Sequence, residues 1–173
     1  MAESSRRVVI TGLGAVTPIG NSVSAYWSGL TKAGNGVAPI TLFDASRHAC
    51  RFAAEVKDFE PIGVLDPKEA KRWDRFCQFG VVAAKEALAE SGLEINDSNR
   101  QRIGVIIGSG VGGLLTMETQ AHVLEGKGPG RVSPFTVPMM IPNMATGLAA
   151  IALGAQGPSS AVATACAAGS NAI

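Results

Sequence analysis

Apolar and polar positions follow two rhythms along this chain. Val8 to Leu13 is a short apolar run closed by glycine and reads as a strand, and Val23 to Leu30 suggests a short helix. From Asp74 to Ser91 the apolar residues Phe76, Phe79, Val82, Ala83, Ala87 and Leu88 recur at helical spacing, with Gly92 placed to stop the helix. Ile103, Val105, Ile106 and Ile107, within Arg102 to Gly108, make the continuous apolar run of a buried parallel strand. Further helices are expected over Leu114 to Leu124 and Asn143 to Leu153, and Ala161 to Ala165 reads as a strand that feeds Cys166. Strands alternating with helices predict an α/β layered domain with a parallel sheet. No repeat or low-complexity tract breaks the pattern.

Composition narrows the class. With 173 residues, 46% of them hydrophobic, the chain suffices for one sizeable core, so residues 1–173 are read as part of a single domain. A formal net charge of +1 argues against the strongly basic face of a nucleic-acid binder. Met1 to Arg7 is polar and runs straight into Val8-Val9-Ile10, which leaves no signal-peptide core and no membrane span; a cytosolic or organelle-stromal location is expected. Cys50, Cys77 and Cys166 are odd in number and lack close metal-ligand spacing, so reduced thiols and neither metal nor cofactor are expected. From Gly126 to Ile173 there are 48 residues without Asp or Glu, and with only Lys127 and Arg131 as cations. Such a segment is expected to be interior or buried against another subunit or further chain. It also supplies no carboxylate for chemistry.

Several motifs remain. Gly108-Ser109-Gly110-Val111-Gly112-Gly113 has the form of a dinucleotide fingerprint, but the acidic residue expected roughly 20 positions on is replaced by Ser133 in a carboxylate-free stretch. A tight turn beside a ligand or another backbone fits better, and the ligand could be an acyl chain. At Cys166 the apolar run gives way to small helix-compatible residues, which places the thiol at a strand-to-helix turn facing a helix N-terminus, where thiolate is stabilised. Ala165, Ala167, Ala168 and Gly169 leave room for a substrate beside the sulfur. Two readings stay open here, a nucleophile and a small buried hydrophobe. Cys50 and Cys77 lack that setting and are read as structural. His48 and His122 are read as surface residues. The run from Lys68 to Arg75 is either a solvated helix start or a cationic patch for an acidic partner.

Taken together, Val8-Val9-Ile10-Thr11-Gly12-Leu13-Gly14 with Pro18-Ile19-Gly20, Ile107-Gly108 to Gly113, Ser133-Pro134-Phe135 and Thr164-Ala165-Cys166 with Gly169 resemble the β-ketoacyl-acyl-carrier-protein synthases, the elongating type I/II condensing enzymes, with type II nearest. The resemblance runs from Arg6 to Ile173. It implies the incomplete N-terminal half of a thiolase-like α/β fold in a homodimer, and a decarboxylative Claisen condensation of acyl and malonyl thioesters in fatty-acid elongation. Cys166 would carry the acyl group, its own backbone N–H forming part of the oxyanion hole. Val111 and Val137 would line the acyl pocket, and Lys68, Lys71, Arg72 and Arg131 would border the entrance for acyl carrier protein. Two histidines and a lysine of the family's second half-reaction are expected further along than Ile173, so the chain alone is expected to be inactive. Synthase I, a polyketide ketosynthase, or a shortened non-catalytic dimerisation or carrier-binding module are the alternatives.

Overall fold

The computed structural model describes residues 7–61 and 63–173; the polar start, Met1 to Arg6, lies outside the described residues. Helix α1, Val23–Thr31, is capped by Ser22, whose hydroxyl accepts from the Ala25 N–H at 3.2 Å. Strands β1 (Val37–Pro39) and β2 (Phe52–Ala54) pair antiparallel, and a one-turn helix α2 (Pro67–Ala70) follows with Asp66 as its cap. The long helix α3, Arg75–Ser91, begins at the Asp74 cap and stops at Gly92, whose φ of 66° only glycine adopts freely. Strand β3 (Val105–Gly108), helices α4 (Leu114–Lys127), α5 (Thr136–Met140) and α6 (Met144–Leu153), strand β4 (Ser159–Val162) and helix α7 (Ala168–Asn171) complete the chain.

β3 and β4 pair in parallel, Val105 opposite Ser159 and Gly108 opposite Val162. The intervening helices form the crossover that a parallel pair requires. α3 and α6 pack together over one face of this sheet. Val81, Ala149 and Leu65 make the buried centre there, flanked by Val105, Ile107, Leu148 and Trp73. Small residues on α6, Ala145, Ala149 and Ala150, allow α3 to come close. The other face meets α7 where β3 ends: a Cβ on Gly108 would stand 2.1 Å from the Ala168 carbonyl oxygen, so only glycine fits.

Two expectations change. Val8 to Leu13 is not a strand, because its extended backbone has no ladder partner among the described residues, and Val8 is 96% exposed. Instead α3 holds the following segment through carboxylates. Glu90 accepts from the Leu13 N–H, while Glu86 accepts from Ala15 at 2.9 Å and Val23 at 2.8 Å. Gly12 and Gly14 make this possible by lying directly against the α3 backbone at Ala87 and Ala83. β4 ends at Val162 rather than Ala165, since the chain must turn to begin its next helix. In the acid-free segment from Gly126 onward, one face of α6 and Ala168 are interior, while Ile151 and Val137 are left exposed by this chain.

Candidate functional site

The strand-to-helix turn is built as follows. After β4, Ala165 takes a φ of 49°, a left-handed conformation that is strained for a residue with a Cβ. That reversal drops the chain into a single 3-10 turn, Ala165–Ala167, which carries Cys166 and leads into α7. The Ala167 N–H donates to the Thr164 carbonyl at 3.1 Å, and the Asn171 amide donates to the Thr164 hydroxyl at 2.8 Å, so the turn is closed from both sides. Cys166 is exposed. Its backbone N–H has no hydrogen-bond acceptor among the described residues and is free to serve an oxyanion. α7 spans four residues, so the dipole expected to face the thiol comes from little more than one turn.

The other two thiols differ. Cys77 is fully buried in α3, and burial, followed by the charge of Asp74, pushes its thiol up to about 12. It is the structural cysteine. Cys50 is exposed in the loop before β2, outside the α3–α6 core, where its thiol donates to the Phe52 carbonyl at 3.5 Å.

The glycine-rich loop adjoins the turn. The Ser109 N–H donates to the Val162 carbonyl at 2.9 Å, extending the sheet by one rung, and a Cβ on Gly110 would lie 3.5 Å from Ala165 Cα. Beyond Val111, Gly112 takes a φ of 83° and Gly113 donates to the Met140 carbonyl at 2.8 Å. At the start of α4 the Thr116 N–H and hydroxyl donate to Asp74 at 3.0 and 2.5 Å. A carboxylate of the protein therefore occupies the place where a phosphate would sit in a dinucleotide loop. The sequence pattern places Asp74 at the start of α3 and assigns it no part in α4. The absence of a capping side chain at Gly112-Gly113 is the signal that an acceptor must come from elsewhere.

Val111 and Val137 are 63% and 57% exposed, so each offers an apolar surface but is not enclosed by this chain. Lys68, Lys71, Arg72 and Arg131 are all exposed, as a docking face requires. The Arg72 guanidinium lies 5.3 Å from the Phe135 ring, bringing the cationic turn against the segment that Arg131 opens. Arg75 is not part of that face: it lies against the edge-on Phe59–Phe79 pair and donates to the Val56 carbonyl at 2.8 Å. His48 lies exposed, edge-on to Phe43, and His122 is exposed on α4.

Comparison with known proteins bears on this geometry. Residues 5–173 match the family model described as "Beta-ketoacyl synthase, N-terminal domain". A protein of Synechocystis sp. named 3-oxoacyl-[acyl-carrier-protein] synthase 2 is 59% identical over 168 residues, which are 97% of this chain and 40% of that protein. A Staphylococcus aureus protein of the same name is 51% identical over 99% of this chain and 41% of its own length. The chain thus spans about two fifths of these curated relatives. Among solved structures, the ishigamide ketosynthase/chain length factor superposes with a TM-score of 0.78 at 26% identity, covering 92% of this chain and 40% of that one. A type II PKS ketosynthase bound to the hexaketide, in complex with its acyl-carrier protein, gives 0.79 at 24% identity over 95% of this chain and 43% of that one. The fold is that of the N-terminal piece of thiolase-like ketosynthases.

Proposed function

The chain belongs to the β-ketoacyl synthase N-terminal domain family, and from that membership we propose that it is the nucleophile-bearing part of a 3-oxoacyl-[acyl-carrier-protein] synthase of fatty-acid elongation. The observation that carries the reading is Cys166, exposed on a strained turn with a backbone N–H that has no acceptor among the described residues, in a chain 51 to 59% identical to proteins of that name. In the first half-reaction the Cys166 sulfur attacks the carbonyl of an acyl thioester. The oxyanion forms against the Cys166 N–H, and the carrier thiol leaves with a proton. In the second, a malonyl thioester loses carbon dioxide and its carbanion attacks the acyl-cysteine, releasing the Cys166 thiolate and a β-ketoacyl product. Val111 and Val137 wall the acyl chain. Lys68, Lys71, Arg72 and Arg131 meet an acidic acyl carrier protein. That partner is supported by the neighbouring ketosynthase solved with its carrier protein. A cytoplasmic homodimer is part of the same proposal.

The polyketide ketosynthases resemble this chain at 24 to 26% identity, well below the fatty-acid relatives, and the intact cysteine argues against a non-catalytic module. The reading is tested in the full-length synthase that contains this sequence. Incubation with acyl-carrier protein should place the acyl group on Cys166, and malonyl-carrier protein should discharge it. Acylation surviving in Cys166→Ala would sink the assignment.

A further inference from the structure

We infer that Asp74 is a positioning residue that fixes the glycine loop over Cys166 and so sets which acyl lengths the site accepts; the inference rests on the acyl-transfer reading above. Asp74 is 7% exposed, and its carboxylate is shared between two helices. Oδ1 accepts from the Phe76 N–H at 3.3 Å, capping α3, while Oδ2 takes the Thr116 N–H and hydroxyl at 3.0 and 2.5 Å, capping α4 from 42 residues away. α4 has no cap of its own, because Gly113 has no side chain. None would fit: a Cβ at Gly113 would stand 2.9 Å from Asp74 Oδ2 and 2.4 Å from the Met139 carbonyl oxygen.

The loop that carries Val111 is consequently held at two ends. Its sheet end is pinned by Ser109 to β4 and lies on Ala165, the residue before Cys166. Its helix end is pinned by Asp74 and by the carbonyl of Met140, the last residue of α5. Val111 sits between the two anchors, so its distance from Cys166 depends on both. The cationic turn, Lys71 and Arg72, is separated from Asp74 by Trp73 alone, which ties the proposed docking face to the same joint. Charge-assisted hydrogen bonds to a buried carboxylate are among the stronger polar contacts, and small displacements near a reacting centre have large kinetic effects.

The experiment uses the full-length synthase that contains this sequence and small thioesters of N-acetylcysteamine, so that carrier docking does not enter. A butyryl chain is too short to depend on the loop, whereas a dodecanoyl chain must pass Val111. Asp74→Asn turns an amide NH2 toward N–H donors, and should cut kcat/KM for Cys166 acylation by the dodecanoyl donor about tenfold more than by the butyryl donor. Thr116→Val loses only the hydroxyl bond and should move the same ratio in the same direction by about threefold. Thr116→Ser should restore the parent ratio. If Asp74→Asn fails to fold, Thr116→Val decides. An unmoved ratio in folded Thr116→Val, or equal slowing of both donors, overturns the positioning role while the parent remains acylated. A parent that takes no acyl group at Cys166 overturns the acyl-transfer reading, and this inference with it.

Discussion

Three thiols in one chain occupy three environments, and their reactivities should separate accordingly. Iodoacetamide reacts with thiolate, and Cys77, buried and pushed up to about 12, offers almost none at neutral pH. In the folded full-length protein Cys166 should be labelled first, the exposed Cys50 more slowly, and Cys77 only after unfolding; peptide mapping reads the order, and Cys50 ahead of Cys166 would remove the nucleophile assignment. Cys77 also carries a pH effect of definite sign. Once pH passes the ordinary thiol range, about 8.5, the unfolded chain loses a proton that the folded chain keeps, so stability falls as pH rises toward about 12. A further residue-level test falls on Val111, flanked by glycines that let a larger side chain enter the slot. Val111→Phe should shorten the longest primer accepted, and Val111→Ala should not. Equal loss of short and long primers in the Phe variant would indicate damage to folding instead.

At the scale of elements, α2 and the turn after it present Lys68, Lys71 and Arg72 outward, while Arg75 is folded back against a pair of phenylalanine rings. Complementary charge of this kind acts chiefly on encounter. Reversing Lys68 and Lys71 to Glu in the full-length enzyme should therefore raise KM for carrier-bound substrate and flatten its salt dependence, with small thioesters unaffected; unchanged carrier kinetics would take the patch out of the mechanism. Elements with both ends written locally were legible in the sequence. α3 is the clearest, since Asp74 and Gly92 bracket an apolar stripe and the helix observed has those bounds. The Val8 segment misled because an apolar run states that residues can be buried, not which strand pairs with them. β1 and β2, three residues each, leave too short a pattern to read. The candidate site divides in the same way. Cys166 and the glycine loop were visible in sequence, and the uncapped start of α4 signals a missing acceptor, but the left-handed Ala165 and the choice of Asp74 as that acceptor arise from tertiary closure.

For the molecule as a whole, the sheet formed by β3 and β4 has two strands, and α3 and α6 cover one face of it. Beyond β3 runs an open groove lined by Gly12, Gly14, Ala83, Ala87, Ile106 and Gly108, with Val8 and Ile10 exposed nearby, Ile10 at 80%. Uncovered strand edges recruit other chains, and apolar surface left in water withholds stabilisation. Covering about 400 Å² of it would contribute about 10 kcal/mol at about 25 cal/mol per Å², comparable with the stability of a whole domain. Residues 1–173 expressed alone should accordingly aggregate or unfold without a cooperative transition, as size-exclusion chromatography and thermal unfolding would show. They should also yield no β-ketoacyl product, because His48 and His122 are surface residues and the second half-reaction needs groups that polarise the malonyl thioester. A soluble monomer with a sharp transition would mean that the small core around Val81 and Ala149 suffices. Product from that monomer would move the malonyl chemistry onto one of these two histidines.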